Sequence, residues 1–289
     1  MAVYERTYRR YEGPVTPSWS RFLILPRYAF GEVFKSRLFL SFFLLCFAAP
    51  VVGLVLLYLR HNLSALALFE VSPEQFRQML PVNGEFFLVG LHVQGMLCFL
   101  VTAIVAPALV APDLRNNGLP LYLSRPFSRA EYVLGKGMVL VALLSAITWI
   151  PGLLLFAFQS YLEGWAWVSQ NAGLAASIFV GSWAWILVLS LVGLAISAWV
   201  KWKPIARVAL LGVFFVLSGF AEAFNVALNT WWGNLLSIWR LIEVTWDWLF
   251  GLGVDSETPV WAAFLMIGLF CLFCLWVLSK RLRAYEVVR

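Results

Sequence analysis

The sequence predicts an all-α polytopic membrane protein with six transmembrane helices and both termini in the cytoplasm. Composition is the first reason. Of 289 residues, 62% are hydrophobic and only 12% charged, against roughly 45–50% apolar residues in a soluble domain. Water cannot host that much apolar surface on a chain of this size, and lipid can. Length is the second. Six stretches reach the roughly 20 mostly apolar residues that a helix needs to cross hydrocarbon: 38–59, 86–110, 133–158, 172–200, 205–224 and 260–278. Charge is the third. Lys and Arg collect in the N-terminal arm, the 111–137 block, the KWKP turn with Arg207, and the C-terminal tail, which together hold 18 of the 21. The alternate segments keep Arg60, Arg77 and Arg240, and take most of the acids, including Glu70, Glu85, Glu163, Glu243 and Asp247. Basic segments stay in the cytoplasm, and every loop agrees with that one orientation.

The arm, 1–37, has no apolar run before a small-residue cleavage site, so the first span is read as the insertion signal. Near its end Tyr28, Phe30, Val33 and Phe34 alternate with Arg27, Glu32 and Lys35, the pattern of an amphipathic helix lying among lipid headgroups. The rest, 38–289, is the six-span domain. Span two carries His92, Gln94 and Thr102, and Gln159 ends span three. Span four carries Gly173, Ser177 and Gly181 at spacing four, then Gly193 and Ser197, small residues that let helices approach closely. Pro204 in the short turn between spans four and five suits the first turn of a helix. Glu222 and Asn225 close span five.

The outer segment 225–259 holds an apolar stripe of helical period: Leu228, Trp232, Leu235, Trp239, Ile242, Trp246 and Leu249. Tryptophan is enriched at membrane interfaces. The stripe predicts interfacial or re-entrant helices, with Trp232, Trp239 and Trp246 on one lipid-facing side. Polar groups at membrane depth are functional candidates by default, so His92, Gln94, Glu222 and Asn225 are candidates to line a translocation path. So little charge suits an amphipathic or lipid-like substrate.

Several classes are disfavoured. The four cysteines, Cys46, Cys98, Cys271 and Cys274, lie inside apolar runs and read as small hydrophobes rather than a disulfide framework. Cys271 and Cys274 form a C-x-x-C with no further ligand nearby, so no metal is expected. Two histidines, His61 and His92, no H-E-x-x-H and no paired intramembrane carboxylates leave little for an intramembrane enzyme or haem carrier. The chain has no G-x-x-x-x-G-K-[ST] phosphate loop. The basic charge sits where it sets topology, and no nucleic-acid partner is expected.

The block "APDLRNNGLPLYLSRPFSRAEYVLGKG" (111–137) is polar, with three prolines, between apolar spans two and three. Its backbone needs water or protein, and residues 121–125 between Pro120 and Pro126 can form a short surface helix. Here a family resemblance enters. Asp113, Arg115, Leu121, Leu123, Ser124, Arg125, Pro126, Tyr132, Gly135 and Lys136 resemble the first cytoplasmic loop of permease subunits of ABC transporters of the ABC-2 type. There a D-x-R is followed by an R-P segment and a Y-x-x-G-K that opens span three. The tail "SKRLRAYEVVR" is similar to that family's ending. The resemblance implies a transport function. The loop would carry a coupling helix, with Asp113, Arg115, Leu121, Leu123, Arg125, Pro126 and Arg129 as the ATPase-coupling residues. The arm's helix would be an elbow helix. The partners implied are a separate ABC ATP-binding subunit, which holds ATP and magnesium, a second permease as homodimer or heterodimer, and membrane lipid. No cofactor is expected in this chain, which would not itself be an enzyme. Export from a bacterial inner membrane follows from the likeness. The alternative is a membrane anchor or assembly subunit that transports nothing.

Overall fold

Beyond a short 3₁₀ turn (Ser18–Leu23), the chain enters helix α1 (Ile24–Phe34). The computed structural model describes residues 18–62, 72, 74, 78–116, 118, 128–253 and 257–282. Helix α1 buries Leu25 and Pro26. Tyr28 on the same helix is exposed. Lys35 bonds Glu32, and its positive charge holds that exposed carboxyl below the usual carboxylate range. Ser36 then breaks the chain into extended geometry, and its Oγ accepts from the Phe39 amide at 3.3 Å. That cap starts α2 (Arg37–Leu45).

Prolines bend two of the spans. Helix α2 gives way at Cys46 and Phe47 to α3 (Ala48–His61). Pro50 has no amide hydrogen to offer the Cys46 carbonyl, four residues back, and its ring crowds that oxygen. The expected span 38–59 is therefore two helices. The expected span 133–158 is also two. Helix α6 (Arg129–Ile147) and α7 (Trp149–Glu163) meet at Thr148, which has φ −113° and ψ −94°, four residues after Leu144 and three before Pro151. The Thr148 hydroxyl donates to the Leu144 carbonyl at 2.7 Å.

Between them run α4 (Gly84–Leu109), capped by Asn83, and the short α5 (Ala111–Arg115). One residue, Gly164, joins α7 to α8 (Trp165–Trp199). Its φ of +85° is a region open to glycine. The stretch 159–171, expected as a connection, is thus helical on both sides of that single residue. Helix α9 (Lys203–Leu228) follows, then a 3₁₀ turn (Trp232–Leu236), α10 (Ile238–Leu249) and α11 (Val260–Arg281). No strand occurs among the described residues.

Six helical passes, 37–61, 84–115, 129–163, 165–199, 203–228 and 260–281, are long and apolar enough to cross a membrane. Helices α4 and α8 form the centre: in each, 67% of the most apolar window is buried, against 22% in the first, fifth and last passes. Gly193 of α8 lies so close to α4 that an added Cβ would sit 2.7 Å from the Ala106 Cβ. The small-residue reading of span four holds at Ser177, Gly181, Gly193 and Ser197, all buried. It does not hold at Gly173, where an added Cβ meets nothing within 4 Å.

The expected tryptophan surface is not one face. Helix α9 ends at Asn229, in left-handed geometry at φ 48°, and α10 starts afresh from the Ser237 cap. Trp232 is exposed and stacks on Trp231 at 4.8 Å. Trp239 is half-buried, and Trp246 is only 1% exposed. A buried helix and an interfacial one share the same three-four spacing, so the pattern could not tell them apart.

Candidate functional site

Alternating passes bring the ends of α4, α8 and α11 and the starts of α2, α6 and α9 to one end of the bundle. It is the end rich in Lys and Arg. Arg281 lies 4.1 Å over the Trp199 ring, and Arg115 lies 5.0 Å over the Trp202 ring. At the opposite end His61 Nε2 stands 3.1 Å from Glu163.

The polar block emerges from the basic end between two tethered flanks. On one flank, α4 stops and α5 begins with Pro112 in its first turn. The amides of Val110 and Ala111 lack ordinary helical partners there. Ser197 Oγ, from α8, accepts both at 3.3 and 3.0 Å. On the other flank, Ser128 and Glu131 form a reciprocal capping box at the start of α6. Asp113 then joins the flanks. Its Oδ2 lies 2.9 Å from Lys136 Nζ and accepts from the Tyr132 hydroxyl at 2.7 Å. Lys136 is 8% exposed and Tyr132 1%, so this is a nearly dry, charge-assisted clasp. Gly135 lets the 3₁₀ turn Ser18–Leu23 press against it: an added Cβ would stand 2.9 Å from the Phe22 carbonyl. The residues that carried the resemblance on the two flanks are thus in contact with one another or with the protein core. Arg115 reaches α9's leading turn through Trp202, and Arg129 is exposed at the first position of α6. Leu121, Leu123, Arg125 and Pro126 lie outside the described residues.

The four candidate path residues do not meet within the chain. His92 packs edge-on against Trp246 at 5.1 Å, and its Nδ1 lies 3.0 Å from the Leu88 carbonyl. Gln94, two residues on, faces away from it across α4, as i,i+2 pairs on a helix do. Its Nε2 donates to the Cys46 carbonyl at 3.3 Å, the oxygen that Pro50 leaves without a helical donor. Its Oε1 has no partner. Glu222 is exposed on α9. Asn225 accepts from the Gly233 amide and donates to Asn234, both at 2.7 Å, so it fastens the 3₁₀ turn to α9.

Sequence reasoning missed an aromatic knot where α4, α8 and α10 cross. Trp185 Nε1 donates to the Gly95 carbonyl and Trp246 Nε1 to the Gly181 carbonyl, each at 2.9 Å. Buried indoles need such partners. The Trp185 ring meets Trp239 at 5.4 Å and Trp246 at 6.1 Å, edge to face. The glycines opposite the tryptophans were visible in the sequence, but nothing there paired them. Also missed was a cavity of about 860 Å³ between α3, α4 and α7. No three His, Cys, Asp or Glu side chains cluster as a metal site among the described residues.

Among the described residues, the fold is all-helical, with six passes long and apolar enough to make an integral membrane protein. No known protein family matches its sequence, and no curated protein matches it.

Proposed function

We propose that this chain is the permease subunit of an ATP-driven transporter of the ABC-2 type, receiving a separate ATP-hydrolysing subunit on its 111–137 loop. One observation carries the reading: the Asp113–Lys136–Tyr132 clasp closes the base of a polar loop at the basic end. A loop so tied passes a push to both α4 and α6 rather than bending on its own. Ser197 extends the tie to α8 and Arg115 extends it to α9, so four passes share the load. Bistable helix packing converts such pushes into changes of access.

In this reading the basic end and both termini face the cytoplasm of a bacterial inner membrane. Helix α1 is the elbow along the headgroups, and a second permease completes the pathway. His92 and Gln94 serve the fold, while exposed Glu222 is left to face that second copy. The substrate is lipid-like or amphipathic and moves outward. ATP and magnesium belong to the partner.

The test is to purify the chain from its native membrane and identify what remains bound. A stoichiometric soluble ATPase is expected, lost when 121–129 is replaced by a Gly/Ser linker. A stable complex with other membrane proteins and no ATPase would overturn the permease reading in favour of an anchor subunit.

A further inference from the structure

The cavity between α3, α4 and α7 has the form of a site for one lipid. Its volume of about 860 Å³ falls in the range of ligand pockets. It opens sideways: Val52, Val89 and Val93 line it and are exposed, and in a six-pass protein that side is hydrocarbon. It has a depth. Along α4 it runs from Glu85 to Gln94, about 14 Å at 1.5 Å per residue, or one leaflet of a hydrocarbon core about 30 Å thick. Gln94 and Thr148 mark the inner limit, and the wall between is apolar.

The rim carries both signs of charge. Glu85 lines the cavity and is exposed. Arg60, on the last turn of α3, donates to the carbonyl of the lining residue Leu80 at 2.7 Å. Of the other charged side chains at this end, Arg240 is paired with Glu243, and Glu163 is hydrogen-bonded to His61. An acid and a base beside a chain-length apolar slot complement a headgroup with an ammonium and a phosphate.

We infer that this cavity binds a zwitterionic phospholipid, with an acyl chain between α3, α4 and α7 and its headgroup at Glu85 and Arg60. Two bends make the room. Cys46–Phe47 and Thr148 turn α3 and α7 away from the lines of α2 and α6, and Gly90 leaves the α4 wall without a side chain. An added Cβ at Gly90 meets nothing within 4 Å, so a side chain there starts into the slot rather than into protein. The site does not depend on the permease reading.

The full chain is reconstituted in nanodiscs with phosphatidylethanolamine carrying a photoactivatable acyl chain, and the labelled peptides are mapped. Labelling is expected to concentrate on 49–56, 86–94 and 151–155, and to exceed that by phosphatidylglycerol with the same chain. It should fall about tenfold, a 1.4 kcal/mol change, in Gly90→Phe and stay unchanged in Gly268→Phe, where α11 is equally open. Native mass spectrometry of the unsubstituted chain should retain one phosphatidylethanolamine. Labelling spread evenly over all passes, or indifferent to Gly90→Phe, would remove the site. Equal labelling by the two lipids would overturn the zwitterionic assignment. None of these outcomes touches ATPase binding, so this inference and the proposed function fail separately.

Discussion

Gln94 shows how one side chain repairs another's defect. Pro50 orphans the Cys46 carbonyl, and in hydrocarbon no water can take its place. Gln94 Nε2 supplies the missing donor. Gln94→Leu should therefore cost about 1 kcal/mol, the worth of one such bond, in an unfolding titration in detergent micelles. In a Pro50→Ala background, where the backbone regains its own donor, the same change should cost nearly nothing. Equal costs in the two backgrounds would remove the pairing. The glycines make a second test. At Gly95 an added Cβ would stand 2.7 Å from the Trp246 ring, but at Gly173 it meets nothing. Gly95→Ala should destabilise by about 2 kcal/mol through overpacking, while Gly173→Ala should be neutral or better. Thermal unfolding of the two variants decides it. Sequence spacing treated all small residues of span four alike, because period four marks a face of a helix and not what that face meets.

At the scale of elements, the clasp between α5 and α6 is the most informative. Lys136→Met leaves the Asp113 carboxylate nearly buried with Tyr132 as its remaining partner. The cost should be about 2 kcal/mol, below the 3–5 of a fully buried pair, since the Asp113 side chain keeps 18% exposure. Adding Asp113→Asn should recover most of it, and additive losses in the double variant would show that the two side chains act separately. The existence of the passes was legible in hydropathy, because lipid demands continuous apolar length. The bends at Cys46 and Thr148 were legible in principle, since Pro50 and Pro151 stand four residues beyond the carbonyls they disturb. The junction at Gly164 was not: the polar residues around it suggested a loop, yet positive φ in a single glycine turns the chain. Helix α10 was found by period, but composition did not say that Trp246 would be buried, because tryptophan serves membrane interfaces and knots such as Trp185–Trp246 equally well.

The whole molecule is organised around α8, whose 35 residues extend about 52 Å, well beyond a 30 Å hydrocarbon core. Being central, it ties distant parts together: Ser177, near its middle, donates to the Leu249 carbonyl at 2.5 Å, and Ser197 caps α5 near its C-terminal end. Its two ends must face different compartments, and the charge bias says which. Asn116 and Lys201 are exposed at the basic end, and Ser169 and Glu257 at the other. In a background with the four native cysteines replaced, single cysteines at these positions separate the compartments. A membrane-impermeant maleimide added to intact cells should label Ser169→Cys and Glu257→Cys. Asn116→Cys and Lys201→Cys should react only after permeabilisation. Reversed labelling would put the 111–137 block outside the cell, where no cytosolic ATPase could reach it, and the permease reading would fall although the fold stood. Labelling of Asn116 and Glu257 from the same side would break the six-pass topology itself. The charge asymmetry of the sequence, with 18 of 21 basic residues in the segments expected on one side, predicts that neither result will be seen.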